Sequence, residues 1–133
     1  GHAHVVTLDN KGEPPLVRLQ GGLINPVPLP SPFKDGRLVL DHAMFDTDAM
    51  IFPQEAGERL SYSAEDGPTM RFRFENLPNL ALWTKPGAPF LCIEPWHGTA
   101  AEAGSSGELS KRPSTTILAP GAIARFAFTV EIL

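Results

Sequence analysis

The sequence predicts an all-β protein, an antiparallel β-sandwich in one domain. It has 133 residues, 42% of them hydrophobic and 20% charged, which is enough to bury one sizeable core. Its 14 prolines and 12 glycines interrupt the chain too often for long helices, so a helical bundle is excluded. Short apolar runs between such breakers are typical of the strands of a sandwich.

The N-terminal third alternates short strand patterns with loops. A β-branched run at 5–9 enters a glycine-containing turn and predicts the first strand. Residues 25–36 carry four prolines at alternate positions, and proline lacks the amide donor that a central strand needs, so we interpret this segment as an extended surface loop. Two apolar runs follow, 37–40 and 49–52, and the acidic segment between them is a candidate site.

The middle of the chain predicts a hairpin and two further strands. Apolar and polar residues alternate over 59–63 and again over 70–74, and Glu65-Asp66-Gly67-Pro68 between them is a turn signal. Residues 80–84 predict another strand. The run at 89–96 is too continuously apolar for a half-exposed strand, which predicts a central position in a sheet.

The C-terminal part combines a polar loop with the clearest strand pattern of the sequence. Small and polar residues dominate 99–112 and predict a mobile loop rather than a helix. After a short apolar run at 116–118 and a Pro-Gly turn, the final strand places its even-numbered apolar residues from Ala124 to Ile132 on one face.

Charge and cysteine content narrow the class of partner and compartment. The net charge of −4 argues against binding nucleic acid through bulk positive charge. No apolar stretch reaches the roughly 18 residues of a membrane span, and no basic segment followed by an apolar one opens the chain. The single cysteine, Cys92, cannot form an internal disulfide. We therefore expect a cytoplasmic protein without nucleic-acid or membrane partners.

Glu94 is the strongest candidate for chemistry. It stands at the end of the most apolar run, where loss of hydration disfavours the charged carboxylate and suits it to act as a general base near neutral pH. Trp96 lies two residues on and offers an indole face on which a sugar ring can stack. The alternative is a surface glutamate at a strand end, the usual place for this residue type.

Other polar residues give weaker signals. His97 and His42 are candidate acid or base partners, against the alternative of hydrogen-bonded loop residues. Asp48 is a candidate acceptor for a substrate hydroxyl, against a turn-capping role. His2 and His4 have the spacing of metal ligands on a strand, but no acid and histidine set completes a site, so we expect no metal and no cofactor.

The remaining motifs exclude other enzyme classes. Cys92 lies within the apolar run and is interpreted as core filler, since buried thiols resist ionisation. The sequence contains no Gly-x-Ser-x-Gly, phosphate-loop or dinucleotide-binding fingerprint, which removes support for common hydrolases and nucleotide enzymes.

Residues 83–98 carry a long, specific pattern, Trp-x-Lys-Pro-x-x-x-Phe-x-Cys-Ile-Glu-Pro-Trp-x-Gly. This pattern resembles the C-terminal part of aldose 1-epimerases, the galactose mutarotase-like family. The Leu-x-Pro-Gly turn at 118–121 with the final strand resembles the closing hairpin of that family, and 40–52 resembles its preceding acidic segment. The resemblance implies that residues 1–133 are one domain belonging to the C-terminal part of a larger β-sandwich.

The resemblance also implies an activity, the interconversion of the α and β anomers of a free aldose without a cofactor. In that family a glutamate matching Glu94 removes the proton of the anomeric hydroxyl while a histidine protonates the ring oxygen. An aspartate that binds sugar hydroxyls matches Asp48, with Asp46 as the alternative. Trp96 and His97 are the further expected sugar contacts.

The family's acid histidine lies upstream in a Gly-His-Pro-like motif, which the opening Gly1-His2-Ala3-His4 does not match. We therefore expect a C-terminal fragment or a truncated relative, stabilised by pairing of exposed sheet edges with another chain. Two alternatives remain open. One is a carbohydrate-binding module without catalysis, and the other is a cupin-like metal enzyme that requires His2 and His4 as ligands.

Overall fold

Residues 3–133, the part described by a computed structural model, form two antiparallel sheets that pack face to face. The first sheet has the strand order β10-β7-β6-β1-β4 and the second has the order β3-β2-β5-β8-β9. The predicted all-β sandwich is confirmed. The strands are β1 (His4–Leu8), β2 (Leu16–Gln20), β3 (Leu23–Leu29), β4 (Arg37–Val39), β5 (Met50–Phe52), β6 (Arg59–Ala64), β7 (Thr69–Glu75), β8 (Asn79–Trp83), β9 (Cys92–Trp96) and β10 (Ala127–Ile132).

Helical structure in residues 3–133 is limited to two 3₁₀ helices, His42–Phe45 and Leu109–Lys111. Asp41 caps the first of them, because its carboxylate accepts a hydrogen bond from the backbone N–H of Ala43 at 3.0 Å. Within this part of the chain, no helix has the length and apolar character that a bilayer crossing requires.

The main core lies between the two sheets. Alternation along each strand sends one set of side chains inward, and the rings of Phe33 and Phe52 meet edge to face at 5.1 Å between centroids. Full burial of side chains of this size stabilises the fold by about 1.5–3 kcal/mol each. The most deeply buried members of this core are Val6, Leu8, Phe33, Leu38, Met50, Phe52, Leu60, Leu80 and Leu82.

A second apolar cluster covers the outer face of the second sheet. It contains the intervening residues of the same strands, among them Val17 of β2, Ile51 of β5 and Ala81 of β8, and the last two are completely inaccessible to solvent. The second sheet is therefore apolar on both faces, which explains why 49–52 and 80–83 read as continuous apolar runs rather than alternating ones.

The predicted hairpin and most predicted strands are confirmed. Strands β6 and β7 pair with Leu60 opposite Phe72 and Tyr62 opposite Met70, and the turn between them occupies 65–68. Segment 99–112 contains no α-helix, as expected, but its residues Leu109–Lys111 form a 3₁₀ helix.

The interpretation of 25–36 as loop throughout is wrong for its first part. Residues 23–29 form β3, which contains Pro26 and Pro28 and pairs with β2. This is possible because β3 is an edge strand of the described sheet, where a missing N–H can face away from the ladder.

The central position predicted for 89–96 is also wrong within the described residues. Strand β9 pairs with β8 and lies at the edge of the second sheet. Pro95 stands opposite Leu80 and cannot donate to a neighbouring strand, which suits an edge. The apolar run has another cause, because β9 contacts apolar side chains on both of its faces, Ile93 toward the main core and Trp96 toward the second cluster.

The final strand is shorter than predicted and lacks cover. Strand β10 begins at Ala127 and pairs with β7, so that Phe128, Val130 and Ile132 share one face as the alternation predicts. That face is not buried, since Phe128 is 62% exposed and Ile132 is 70% exposed. The closing hairpin implied by the resemblance is absent among residues 3–133, because 116–118 forms no strand.

Gly36 is expected to be irreplaceable in the turn that precedes β4, because this turn packs against the turn that follows β1. Its φ of 75° lies in the left-handed region, and an added Cβ would approach the Cα of Lys11 to 2.6 Å. We expect Gly36→Ala to lower the free energy of unfolding by roughly 2 kcal/mol or more, measured by denaturant titration of tryptophan fluorescence.

Gly87→Ala is the matched control. Gly87 also has a positive φ, 85°, but a Cβ there meets no atom within 4 Å. Gly87→Ala should therefore lower the free energy of unfolding by only about 1 kcal/mol, the cost of placing a residue with a Cβ in the left-handed region. Equal losses for the two variants would contradict the close packing against Lys11.

Candidate functional site

Glu94 lies at the end of an apolar row on the outer face of the second sheet. The cross-strand partners Val17 and Ile51, Ile51 and Ala81, and Ala81 and Glu94 define this row from β2 to β9. Directly opposed residues of an antiparallel sheet point to the same side. The carboxylate is therefore placed at the rim of an apolar floor formed by the second cluster.

Trp96 holds the Glu94 side chain. The two residues are two positions apart on β9 and so share a face, and the indole Nε1 donates a hydrogen bond to Oε2 of Glu94 at 3.2 Å. Both side chains are half-buried. Among residues 3–133 the Glu94 carboxylate has no other hydrogen bond. One oxygen is thus oriented by the indole while the group keeps the capacity to accept a proton.

The chain after β9 returns across the second sheet to its opposite edge. Ile24 of β3 forms a parallel bridge with Glu102, donating to the carbonyl of Ala101 and accepting from the N–H of Ala103, both at 2.8 Å. Ala100 packs on the second cluster along the way. This segment therefore forms one side of the candidate site and is fixed by backbone hydrogen bonds.

His97 is fully engaged by the protein. Its Nδ1 donates to the carbonyl of Asn76 at 2.8 Å, and its Nε2 lies 2.6 Å from the hydroxyl of Thr116. Since a carbonyl can only accept, the proton of the neutral ring is on Nδ1 and Nε2 accepts from the hydroxyl. Phe126 packs edge-on against the ring at 4.7 Å. A substrate can bind His97 only by replacing one of these contacts, so its sugar-binding role stays a prediction.

Asp48 precedes β5 in a strained conformation. Its φ is 75°, unusual for a residue with a Cβ, and its Oδ1 accepts from the N–H of Ala49 at 2.8 Å. The residue is exposed. Strand β8 separates β5 from β9, so these strands are two spacings, about 10 Å, apart. Asp48 and Glu94 therefore do not touch each other, and Asp48 adjoins the second cluster through its chain neighbour Ala49.

Arg18 holds the segment that presents Asp48, and sequence reasoning missed it. Its Nη2 donates to the carbonyl of Met44 at 2.7 Å, and its Nη1 donates to the carbonyls of Asp48 at 3.0 Å and Ala49 at 3.3 Å. Burial lowers the pKa of the guanidinium, and the charge of Asp48 opposes that effect. An arginine inside the apolar strand Leu16-Val17-Arg18-Leu19 is a signal that the sequence does contain.

The two remaining histidines of the described part lie elsewhere, beside a cavity of about 720 Å³. His4 is 2.6 Å from the Tyr62 hydroxyl, and His42 accepts a hydrogen bond from the N–H of Gly87. Neither Glu94 nor Asp48 lines this cavity. The structure therefore does not bring His42 to the Glu94 site.

Metal ligation receives no support from residues 3–133, where no group of three or more histidine, cysteine, aspartate or glutamate side chains is assembled. His2 lies outside the described residues, so the His-x-His spacing remains an open prediction. Cys92 is a free, half-buried thiol in the described structure.

The chain is similar to two solved structures over 98% of its length. One is a galactose mutarotase-related enzyme of Lactobacillus acidophilus, with a TM-score of 0.81 and 19% identity, and the other is a galactose mutarotase-like protein of Lactobacillus casei, with a TM-score of 0.77 and 22% identity. This chain covers 45% and 47% of them, respectively. Its fold is therefore that of galactose mutarotase-like proteins, as the residue pattern at 83–98 led us to expect.

Two curated relatives are the chromosomal and plasmid forms of Protein LacX of Lactococcus lactis subsp. lactis. Each is 28% identical to this chain over 107 residues, which is 77% of this chain and 36% of the relative. The chain thus spans about a third of the length of these relatives. No protein-family model matches it.

Arg18→Met is expected to loosen the segment 44–49. The three carbonyls lose their donor, so the free energy of unfolding should fall by about 1–3 kcal/mol and amide exchange of 44–49 should accelerate. Arg18→Lys keeps the positive charge but lacks the forked N–H donors of the guanidinium, so it should lose part of this stability.

Arg59→Met is the control, since this exposed arginine of β6 has no side-chain hydrogen bond in the described structure. Hydrogen exchange measured by mass spectrometry checks both effects. An unchanged exchange rate of 44–49 in Arg18→Met would show that Arg18 does not hold Asp48.

Proposed function

We propose that this chain contributes the general base of an aldose 1-epimerase, an enzyme that interconverts the α and β anomers of a free hexose. Glu94 is the base, while Asp48, Trp96 and His97 contact the sugar. The proposal rests above all on the Glu94 and Trp96 pair, set at the rim of an apolar floor in a fold shared with mutarotase-related proteins.

The proposed reaction needs one proton acceptor and one donor, and no cofactor. Glu94 accepts the proton of the anomeric hydroxyl as the bond between C1 and the ring oxygen breaks, and an acid protonates that oxygen. The open aldehyde rotates about C1–C2. Reclosure on the other face of the carbonyl returns both protons and gives the second anomer.

Polar and apolar groups of the proposed site bind different parts of the sugar. A pyranose has an apolar C–H face that can stack on the Trp96 indole and hydroxyls that carboxylates can accept from. The indole N–H fixes one oxygen of Glu94, so less orientation is lost when substrate binds. Arg18 holds the backbone that carries Asp48, because it donates to the carbonyls of Asp48, Ala49 and Met44.

Among residues 3–133, no candidate for the general acid lies next to Glu94. His4 and His42 line the separate cavity, and the ring nitrogens of His97 are occupied. We propose that the acid comes from a histidine outside this set.

The free thiol of Cys92 and the single cysteine fit a reducing compartment, and we place the reaction in the cytoplasm.

Replacement of Glu94 tests the base. With the natural gene product, polarimetry follows freshly dissolved α-D-glucose and α-D-galactose to equilibrium. Glu94→Gln keeps the shape and the indole contact but cannot take a proton, so kcat should fall by about 10²–10⁴-fold while KM changes little.

Glu108→Gln is the control for this substitution. Glu108 is an exposed glutamate that pairs with Lys111 at 3.2 Å, away from the second cluster, and its loss should leave kcat unchanged. A Glu94→Gln protein with the activity of the wild type would reject the proposed role.

Trp96→Phe tests the orientation of the base. Phenylalanine keeps an aromatic face for the sugar but lacks the N–H that binds Glu94, so kcat should fall more than KM rises. Trp83→Phe is the matched control, because Trp83 packs against Phe90 at 5.8 Å on the same sheet and does not bond Glu94. Equal effects of the two variants would argue for a packing role alone.

A second candidate function is a carbohydrate-binding module without catalysis. The absence of a histidine in contact with Glu94 among residues 3–133 favours this function, because catalysis also needs a general acid. Isothermal titration calorimetry with the two hexoses discriminates the candidates. Binding that depends on Trp96, without any acceleration of mutarotation by the natural gene product, would favour the module.

A further inference from the structure

Asn79, the first residue of β8, is a polar side chain buried among apolar ones. Only 1% of it is exposed, and Leu80, Ala81 and Leu82, which follow it on the strand, are buried as well. Burial of an amide costs free energy unless its polar atoms find partners. An asparagine at this position is therefore explained by its hydrogen bonds rather than by packing.

Three segments of the chain meet at the Asn79 amide. Its Oδ1 accepts from the backbone N–H of Gln54, after β5, at 3.2 Å. Its Nδ2 donates to the carbonyl of His97, after β9, at 2.8 Å and to the hydroxyl of Ser114 at 3.3 Å. Since a backbone N–H can only donate and a carbonyl can only accept, this orientation of the amide is the one that satisfies both.

The bond to His97 continues the pairing of β8 and β9 past its end. Asn79 stands opposite Trp96, and the register of the two strands ends at this pair. The Asn79 side chain then reaches one residue further and donates to the carbonyl of His97. The backbone that follows Trp96 is thereby fixed to the neighbouring strand.

Trp96 is constrained on both sides along the chain. The ring of Pro95 fixes the φ angle of that residue, and a residue before proline, here Glu94, is restricted to extended conformations. His97 is held by its carbonyl, through Asn79, and by both nitrogens of its ring. The indole therefore leaves the backbone at a fixed point, from which its Nε1 donates to Oε2 of Glu94.

We propose that Asn79 is a positioning residue for the Glu94 and Trp96 pair. Its amide fixes the end of β9, the fixed backbone places the indole, and the indole N–H orients the carboxylate. This role rests on the proposed function, since only a catalytic Glu94 gives the orientation an effect on kcat. Asn79 acts through Trp96, because its own hydrogen bonds go to Gln54, His97 and Ser114.

Anchoring of the loop around Ser114 is the competing role for Asn79. The Ser114 hydroxyl accepts from Nε2 of Gln54 at 2.8 Å as well as from Asn79 at 3.3 Å. The shorter bond to the loop is thus that of Gln54, whereas the shorter bond of the Asn79 Nδ2 goes to His97 at 2.8 Å. These distances favour the end of β9 as the segment that Asn79 holds.

A double-mutant cycle of kcat in the natural gene product tests the proposal. Asn79→Leu has a similar shape but no hydrogen bonds, and it should lower kcat for mutarotation by about tenfold with a smaller change in KM, since small displacements of catalytic groups are costly. In a Trp96→Phe background, the same substitution should lower kcat no further. Additive losses are expected of a purely structural role and would overturn the proposal.

Ser114→Gly is the matched control. Ser114 has a φ of 60°, which glycine adopts without strain, so this substitution removes the shared hydroxyl and leaves the bond from Asn79 to His97 in place. It should leave kcat unchanged. A loss equal to that of Asn79→Leu would assign the effect to the loop and overturn the positioning role.

The indole N–H of Trp96 gives a readout that does not depend on activity. NMR of protein with isotope-labelled tryptophan identifies its resonance as the one that Trp96→Phe removes. Asn79→Leu should accelerate exchange of this N–H with water by about tenfold, and Ser114→Gly should not. Equal exchange in Asn79→Leu and the wild type would contradict the proposal.

The same measurement separates this proposal from the proposed function. A fully active Glu94→Gln protein would reject the proposed base, while the indole readout would still decide whether Asn79 places Trp96. Asn79→Ala replaces Asn79→Leu in both experiments if the leucine side chain prevents folding. A wild-type Trp96 indole that exchanges as fast as free tryptophan would overturn the proposal without any substitution.

Discussion

Burial of the second sheet on both faces is the constraint from which the rest of the structure follows. Ile51 and Ala81 face outward from its central strands and are completely inaccessible, while Leu80 and Leu82 face the main core. Cover for the outer face must come from elsewhere in the chain. The segment that follows β9 supplies it by running back to Ile24, and Trp83 and Trp96 complete it. This arrangement places the only tryptophans of the chain around one apolar floor.

The candidate base Glu94 lies at the margin of that floor, and Asp48 precedes Ala49 of the same cluster. Glu94 is held by an indole N–H on an edge strand, and Asp48 is held by backbone bonds to a half-buried arginine on a central strand. Both supports are fixed before substrate binds, which reduces the ordering that binding requires. The proposed mutarotation uses these carboxylates in different roles, one as base and one as hydroxyl acceptor.

The edges of the two sheets are not equivalent. Strand β3 carries Pro26 and Pro28, and β9 carries Pro95, so each of these edges has positions that cannot donate a hydrogen bond. Strand β10 has no such position, and its apolar face is open. Strand β4, the other edge of the first sheet, also lacks proline but is only three residues long.

Most strands and the candidate base were accessible from the sequence, because alternation, turn residues and the pattern at 83–98 are local features, whereas β2 was not predicted and β3 was interpreted as loop. The hairpin of β6 and β7 and the pairing face of β10 follow from them directly. Strand order was not accessible, since a continuous apolar run fits a central strand and an edge strand with both faces covered equally well. For this reason the sequence predicted a central position for β9, which lies at a sheet edge. Only the tertiary structure showed that β3 accommodates its prolines at a sheet edge. It also showed that Arg18 donates to the carbonyls of Met44, Asp48 and Ala49, and that both ring nitrogens of His97 form hydrogen bonds with the protein. These outcomes depend on which distant segments meet, and that is determined by packing of the whole chain rather than by any local pattern.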